Sequence, residues 1–267
     1  MSRGSVCKVL GNERLRERFY LLRIEAPSVA ETCRPGQFVM LRSDSAAWPY
    51  LNRPFSIYDS DGDSVIEIVY EVVGRATALM AELARGDKVC VIGPLGTAFS
   101  PADDRLHVLA VAGGIGMPPL AFYCKRYATA CESMTLVIGA RSGIDLLVPV
   151  GLMGEGVDVI ALTEDGTKGR KGLATDGLTE SLRAAEVDAS DVRIIACGPK
   201  RMLDVVRRMA LGAGIACEVS VEEIMACGVG ACMSCAVPAA GGGYLHACKD
   251  GPVIKASEID FDRWLAS

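Results

Sequence analysis

The sequence predicts a β + α/β chain: an N-terminal antiparallel β-barrel over residues 1–101, a doubly wound parallel sheet of nucleotide-binding type over 102–221, and a small cysteine-rich segment over 222–267. Three observations carry this. Short β-branched and aromatic runs broken by Gly, Pro and Asp fill the first third. Beyond Pro101, nearly continuous apolar runs alternate with helical periodicity, the mark of a parallel sheet covered on both faces. Of the 11 cysteines, Cys227, Cys232, Cys235 and Cys248 crowd into the tail.

In the barrel, Phe19 to Ile24 precedes Pro27, and Gln37 to Leu41 follows Pro35-Gly36. Val65 to Val73 alternates Ile66, Ile68, Tyr70 and Val72 against Glu67 and Glu71, and Lys88 to Ile92 runs into Gly93-Pro94-Leu95-Gly96. Short strands closed by turn residues favour a small antiparallel barrel. One helix is expected over Thr77 to Leu83, with Thr77 as its cap and Leu79, Met80 and Leu83 on one face. Asn52-Arg53-Pro54-Phe55-Ser56-Ile57-Tyr58 sets a cation, an aromatic ring and a hydroxyl close together. Alternation lets Arg53 and Phe55 share a face, where Arg53 can pair with a phosphate; the plain alternative is a strand with a surface arginine. Gly74-Arg75-Ala76-Thr77 offers N–H groups to a second phosphate.

In the second unit, Leu106 to Ala112, Thr135 to Ala140, Val157 to Leu162 and Val192 to Cys197 read as buried strands, and Met117 to Thr129 as a helix. Pro199 to Gly212 places Met202, Val205, Val206 and Met209 on one helical face, with Pro199 at the entrance and Gly212 at the exit. Gly113-Gly114-Ile115-Gly116 joins the first strand to a helix. Its glycines let backbone approach a pyrophosphate, although close helix–strand packing demands glycine too. Cys197-Gly198-Pro199 ends the last strand, where such folds hold ligands; it reads as a wall beside a nicotinamide or as a plain turn. Glu164-Asp165 is either a solvated turn or a pair that disfavours a ribose 2'-phosphate, with Arg141 and Arg170 as counterweights.

The tail spells C-x4-C-x2-C-x12-C over Cys227, Cys232, Cys235 and Cys248. The first three spacings are those of a plant-type [2Fe-2S] loop. Gly228 and Gly230 suit it, because positive φ lets N–H groups turn towards sulfur. Zinc would more naturally show two C-x2-C pairs, and disulfides conflict with a reducing compartment. The other seven cysteines, Cys7, Cys33, Cys90, Cys124, Cys131, Cys197 and Cys217, sit mostly in apolar stretches and read as core thiols.

Composition limits the function classes. A length of 267 residues fits about two domains, and 50% hydrophobic content excludes disorder. A net charge of -5 with no basic run gives no field for nucleic acid. No apolar run approaches a membrane span and Met1 to Leu10 is no export signal, so a soluble cytoplasmic protein is expected. His107 and His246 show no triad pattern, and no catalytic acid or base is assigned.

The succession Arg53-Pro54-Phe55-Ser56, Gly113 to Gly116, Cys197 to Pro199 and the four tail cysteines resembles the ferredoxin–NADP reductase superfamily. More narrowly, it is similar to the electron-transfer subunits of class 1B dihydroorotate dehydrogenase, over essentially the whole chain. The resemblance implies FAD held by Arg53 to Ser56, by Tyr70, Glu71 and Val72, and by Gly74, Ala76 and Thr77. Ala76 stands where the family usually has glycine, which is tolerable at negative φ. It also implies NAD(H) beside Gly113, Gly114, Gly116, Cys197, Gly198 and Pro199, and a [2Fe-2S] cluster on the four cysteines. The implied partner is an FMN-containing catalytic subunit, two of each in a heterotetramer. Small subunits of NADH-dependent ferredoxin:NADP oxidoreductases or of sulfhydrogenases share these features. About 45 residues after Val221 are too few for a complete fused ferredoxin domain, which disfavours an oxygenase reductase.

Overall fold

The computed structural model describes residues 4–43, 49–149, 152, 156–184 and 187–267. Its first unit is one antiparallel sheet, β1 (Ser5–Arg16), β2 (Phe19–Glu25), β3 (Phe38–Ser43), β4 (Arg53–Ser56), β5 (Asp59–Ser60), β6 (Val65–Glu71) and β7 (Lys88–Leu95), in the order β4-β3-β7-β1-β2-β6-β5. Two short helices accompany it, α1 (Pro27–Ala30) and α2 (Arg75–Ala81). Alternation along β6 and β3 sends Ile66, Ile68, Tyr70, Val39 and Leu41 into a buried core. The sheet rolls until Phe55 on β4 meets Tyr70 on β6 edge-on at 6.1 Å, which forms the expected barrel.

Helix α2 begins earlier than the periodicity suggests. Gly74 is its N-cap, and Thr77 lies three residues in, where Oγ1 accepts from the N–H groups of Val73 (3.0 Å) and Gly74 (3.1 Å). Thr77 therefore closes the helix start from inside the first turn and is not itself the first cap. Ala76 is helical and buried, so its methyl meets no positive-φ penalty.

The second unit contains β8 (His107–Gly113), α3 (Met117–Tyr127), β9 (Ser133–Ala140), β10 (Asp158–Thr163), β11 (Arg170–Lys171), α4 (Ala174–Ala184), β12 (Val192–Cys197), α5 (Lys200–Ala213) and β13 (Ala216–Ser220). Its sheet runs β11-β10-β9-β8-β12-β13, all parallel. Chain order reverses at β8, so the carboxyl ends of β8 and β12 face a topological switch point. Helix α5 runs through Gly212 and ends at Gly214, which is left-handed at φ 68° and takes the exit role expected of Gly212.

The tail is woven into both units. After a hairpin of β14 (Ala236–Pro238) and β15 (Tyr244–His246), β16 (Val253–Lys255) pairs antiparallel with β13 and completes a seven-stranded second sheet; α6 (Phe261–Ala266) follows. Thr97, just after β7, binds the start of this strand and the turn before it: its hydroxyl donates to the Val253 carbonyl (2.8 Å) and its N–H to the Gly251 carbonyl (2.6 Å). Trp264 on α6 is 1% exposed and its indole N–H donates to Glu223 at 2.5 Å. Among the described residues, no helix is long and apolar enough to cross a membrane.

Candidate functional site

Two clefts meet at the junction of the units. The first, of about 460 Å³, is lined from the barrel by Arg53, Pro54, Phe55, Ser56, Tyr70, Glu71, Gly74, Ala76 and Thr77, and from the second unit by Gly116 and Cys197. The second, of about 610 Å³, is lined by Gly113, Gly114, Gly116, Gly198 and Pro199, with Arg18, Arg141, Glu164 and Arg201. Of the residues expected to hold FAD or NAD(H) directly, Val72 alone lines neither cleft. Its N–H donates to the Arg18 carbonyl (2.8 Å) and its side chain packs on the barrel core.

The glycines of the βα turn serve both roles that sequence left open. A Cβ on Gly116 would fall 2.2 Å from the Cys197 carbonyl oxygen, so glycine is required for the two turns to pack together. The same residue lines both clefts, and bare backbone faces them. Cys197 is inert as a nucleophile, since burial pushes its thiol up to about 12.

Ile115, Gly116 and Glu222 are common to the two clefts. Glu222, just beyond β13, is a site residue that sequence reading missed. Glu222 is exposed where the clefts meet; desolvation by the cleft walls first, then the neighbouring charges of Glu223 and Glu71, raise its carboxyl above the ordinary carboxylate range. The available signal was an acidic residue at a strand's carboxyl end, opposite the glycine turn.

Glu164 and Asp165 part company. Glu164 lines the second cleft, whereas Asp165 turns away and accepts from the Thr167 N–H (2.9 Å) and hydroxyl (2.7 Å). Arg141 lines the cleft, but Arg170 pairs with Glu180 at 2.6 Å. The two histidines hold structure: His107 meets Ser133 Oγ at 2.7 Å, and the His246 N–H donates to Asp250 at 2.8 Å.

The four tail cysteines lie round one loop, two by two. Cys235 and Cys248 are buried, with sulfurs 3.3 Å apart. Cys227 and Cys232 form an outer pair on the solvent side. Backbone N–H groups of Val229 (3.4 Å), Ala231 (3.3 Å) and Cys232 (3.4 Å) donate to Cys227 Sγ, while that of Gly230 (3.1 Å) donates to Cys248 Sγ. One stretch of backbone thus serves both pairs. Among the described residues no three His, Cys, Asp or Glu side chains gather at one point. Paired thiols with N–H groups aimed at sulfur suit a dinuclear iron–sulfur cluster better than a single four-coordinate ion.

The pairs differ electrostatically. Cys232 is lowered to about 6, chiefly by the Ser234 hydroxyl and then by the Ser234 N–H and Cys227. Cys248 is pushed up to about 12 by burial and by the adjoining Cys235. A buried thiol such as Cys248 ionises when a cation draws its proton off.

Comparison with known proteins agrees. The family described as the iron–sulfur cluster binding domain of dihydroorotate dehydrogenase B matches residues 222–260. A relative from Caldanaerobacter subterraneus subsp. tengcongensis, named "Dihydroorotate dehydrogenase B (NAD(+)), electron transfer subunit", is 34% identical over 95% of this chain and 97% of its own. One of the same name from Geobacillus thermodenitrificans is 35% identical over 94% of this chain and 96% of its own. Among solved structures, an NADH-dependent reduced ferredoxin-NADP oxidoreductase superposes with a TM-score of 0.85 and 28% identity, covering 100% of this chain and 94% of that one. A ferredoxin NADP+ reductase from Neisseria gonorrhoeae with bound FAD and NADP shares the fold at TM-score 0.65 and 14% identity, covering 80% and 93%.

Proposed function

Because this chain belongs to the family of dihydroorotate dehydrogenase B electron transfer subunits, we propose that it carries electrons from a dihydroorotate-oxidising partner to NAD. The observation that carries the reading is the shared wall of Ile115, Gly116 and Glu222, across which a nicotinamide in the second cleft can stack on a flavin in the first. FAD supplies the exchange between hydride pairs and single electrons, and the cluster a one-electron carrier.

The residues divide the work. Arg53, with Nη1 held by the carbonyls of Leu51 (2.8 Å) and Asn52 (3.1 Å), presents its charge at the rim of the flavin cleft. Gly74 to Thr77 offer the start of α2 to the diphosphate, and Phe55 and Tyr70 give the ring system an apolar wall. Gly113 to Gly116 and Gly198-Pro199 receive the nicotinamide nucleotide, and Glu164 disfavours a 2'-phosphate. Met225, on the flavin cleft, lies two residues before Cys227, so the path from flavin to cluster is short in sequence. Cys227, Cys232, Cys235 and Cys248 hold that cluster.

The partner supplies FMN and the base that deprotonates dihydroorotate, and docks on the cluster face, where Ile224, Val229 and Met233 are 81%, 50% and 57% exposed. We infer two copies of each subunit, residing in the cytoplasm. The likeness to the NADH-dependent ferredoxin-NADP oxidoreductase favours a second reading, transfer to ferredoxin. Anaerobically purified chain should show flavin and [2Fe-2S] absorption and reduce dyes with NADH. It should turn over dihydroorotate only with the FMN subunit present. Turnover by the isolated chain would overturn the subunit assignment, and NADH-dependent ferredoxin reduction without dihydroorotate coupling would favour the second reading.

A further inference from the structure

Ser234 sits between two cluster cysteines and occupies an unusual crossing of contacts. Its Oγ lies 3.1 Å from Cys232 Sγ, donates to the Ile224 carbonyl at 3.0 Å and accepts from the Ala226 N–H at 3.3 Å. The chain reaches this position through Met233, whose φ of 64° makes it the one non-glycine residue with positive φ among those described. Left-handed backbone at a methionine persists where its surroundings hold it, and here it folds Ser234 back onto the preceding thiol.

A hydroxyl has one proton, so its two acceptors compete. While Cys232 is a thiol it can itself donate to Oγ, leaving the Ser234 proton to the Ile224 carbonyl. As a metal-bound thiolate, Cys232 has no proton to give and carries negative charge. Charged acceptors make the stronger hydrogen bonds, and the Ala226 N–H donating to Oγ polarises the hydroxyl further. Ile224 is exposed, so water can replace the proton that its carbonyl loses. We propose that Ser234 is a positioning residue of the cluster: its hydroxyl donates to Cys232 Sγ and raises the cluster's reduction potential. A donor to a ligand sulfur stabilises the state in which that sulfur carries more charge, which is the reduced one. Because Ile224 and Ala226 flank Met225 on the flavin cleft, the same hydroxyl also joins the outer thiol to the cleft wall. The inference rests on Cys232 being a cluster ligand.

The test is a potentiometric titration, followed by electron paramagnetic resonance, of the full chain with its cofactors and as Ser234→Ala and Ser234→Thr. Ser234→Ala should keep full iron content and shift the reduced-to-oxidised ratio at a fixed potential about fivefold towards oxidised, roughly a 40 mV fall for a one-electron couple. Ser234→Thr, which keeps the hydroxyl, should restore it. The exchangeable-proton hyperfine coupling lost from the spectrum of Ser234→Ala should return in Ser234→Thr. A role confined to loop packing would change thermal stability without following the hydroxyl. An unchanged potential and coupling in Ser234→Ala with intact iron would overturn the inference. If Cys232→Ser instead leaves the cluster spectrum untouched, it is the ligand assignment that fails.

Discussion

The inner and outer sides of the cluster loop are built on opposite terms. The inner pair, Cys235 and Cys248, belongs to the same packed core as Val237, Ile254 and Trp264, and buried Gly228 presses on Met40 of the barrel. The outer pair, Cys227 and Cys232, is held by backbone N–H groups and a serine hydroxyl, with Val229 and Met233 open to solvent beside it. The fold presets one half of the site, and a loop at the surface forms the other. A cluster so placed is anchored towards the flavin and presented towards a partner.

Replacing the inner Cys248 with Ser should give the largest effect on the cluster. It removes a thiol from a tight core and leaves a hydroxyl at a 4% exposed position, so both iron content and fold should suffer, by about 2 kcal/mol in the cluster-free chain. Cys232→Ser should also lower iron content and bleach the visible band, yet lower the cluster-free melting temperature less than Cys248→Ser does. Iron analysis and thermal melting check both. If the two variants melt alike, the inner half is not preset by packing.

The glycines sharpen the same contrast. Gly228 and Gly230 have φ of 72° and 76°, but a Cβ on Gly228 would fall 2.4 Å from Met40 Cγ, in the core, whereas one on Gly230 would meet the Lys249 side chain at 3.1 Å. Lys249 is exposed and can move; Met40 is 0% exposed and cannot. Gly230→Ala should therefore cost only the left-handed penalty of about 1–2 kcal/mol. Gly228→Ala should cost about 3 kcal/mol through added overpacking. Urea titrations of the two variants should separate them in that order.

How much of this was legible follows from where each signal lies. The cluster spacing was complete in sequence because three ligands sit on one short loop and the fourth follows a single hairpin, so the signal is local. Most barrel and parallel-sheet strands were readable from their period, and the Val192–Cys197 strand has the limits expected of it. Glu222 was not legible as a site residue, because its importance comes from lining, together with Gly116, both clefts where the two units meet. Strand β16 escaped for a similar reason: Val253–Lys255 is three residues long and gains its partner from β13, a pairing no local pattern announces. Val72 was expected from the resemblance alone; its side chain continues the alternation of Ile66, Ile68 and Tyr70, packs on the barrel core and lines neither cleft.

If the outer side is a docking face, charge placed there should break assembly and nothing else. Val229→Asp or Met233→Glu should weaken binding of the catalytic subunit by roughly tenfold, or about 1.4 kcal/mol, with dye reduction by NADH and iron content unchanged. Size-exclusion chromatography of the mixed subunits checks this. Undiminished assembly in both variants would place the interface away from the cluster loop.

The smallest effect is chemical and reads the two sides directly. In cluster-free protein, Cys232 at about 6 lies below the ordinary thiol value of 9.0, so it is mostly thiolate at pH 7, whereas Cys248 at about 12 stays protonated there. Alkylation resolved by peptide mass spectrometry should show Cys232 half-reactive near pH 6 and Cys248 unreactive through neutral pH. The stability linkage has opposite signs. The depressed Cys232 contributes stability above pH 9.0 that is lost as pH falls through about 6. The raised Cys248 contributes below pH 9.0 and loses its contribution as pH rises towards about 12. Between these limits the Cys232 thiolate is ready for iron while Cys248 still carries its proton, so metal should enter at Cys232 and release the Cys248 proton as it settles. Equal alkylation of Cys232 and Cys248 at pH 7 would contradict this order of events, because the two thiols would then meet iron in the same protonation state.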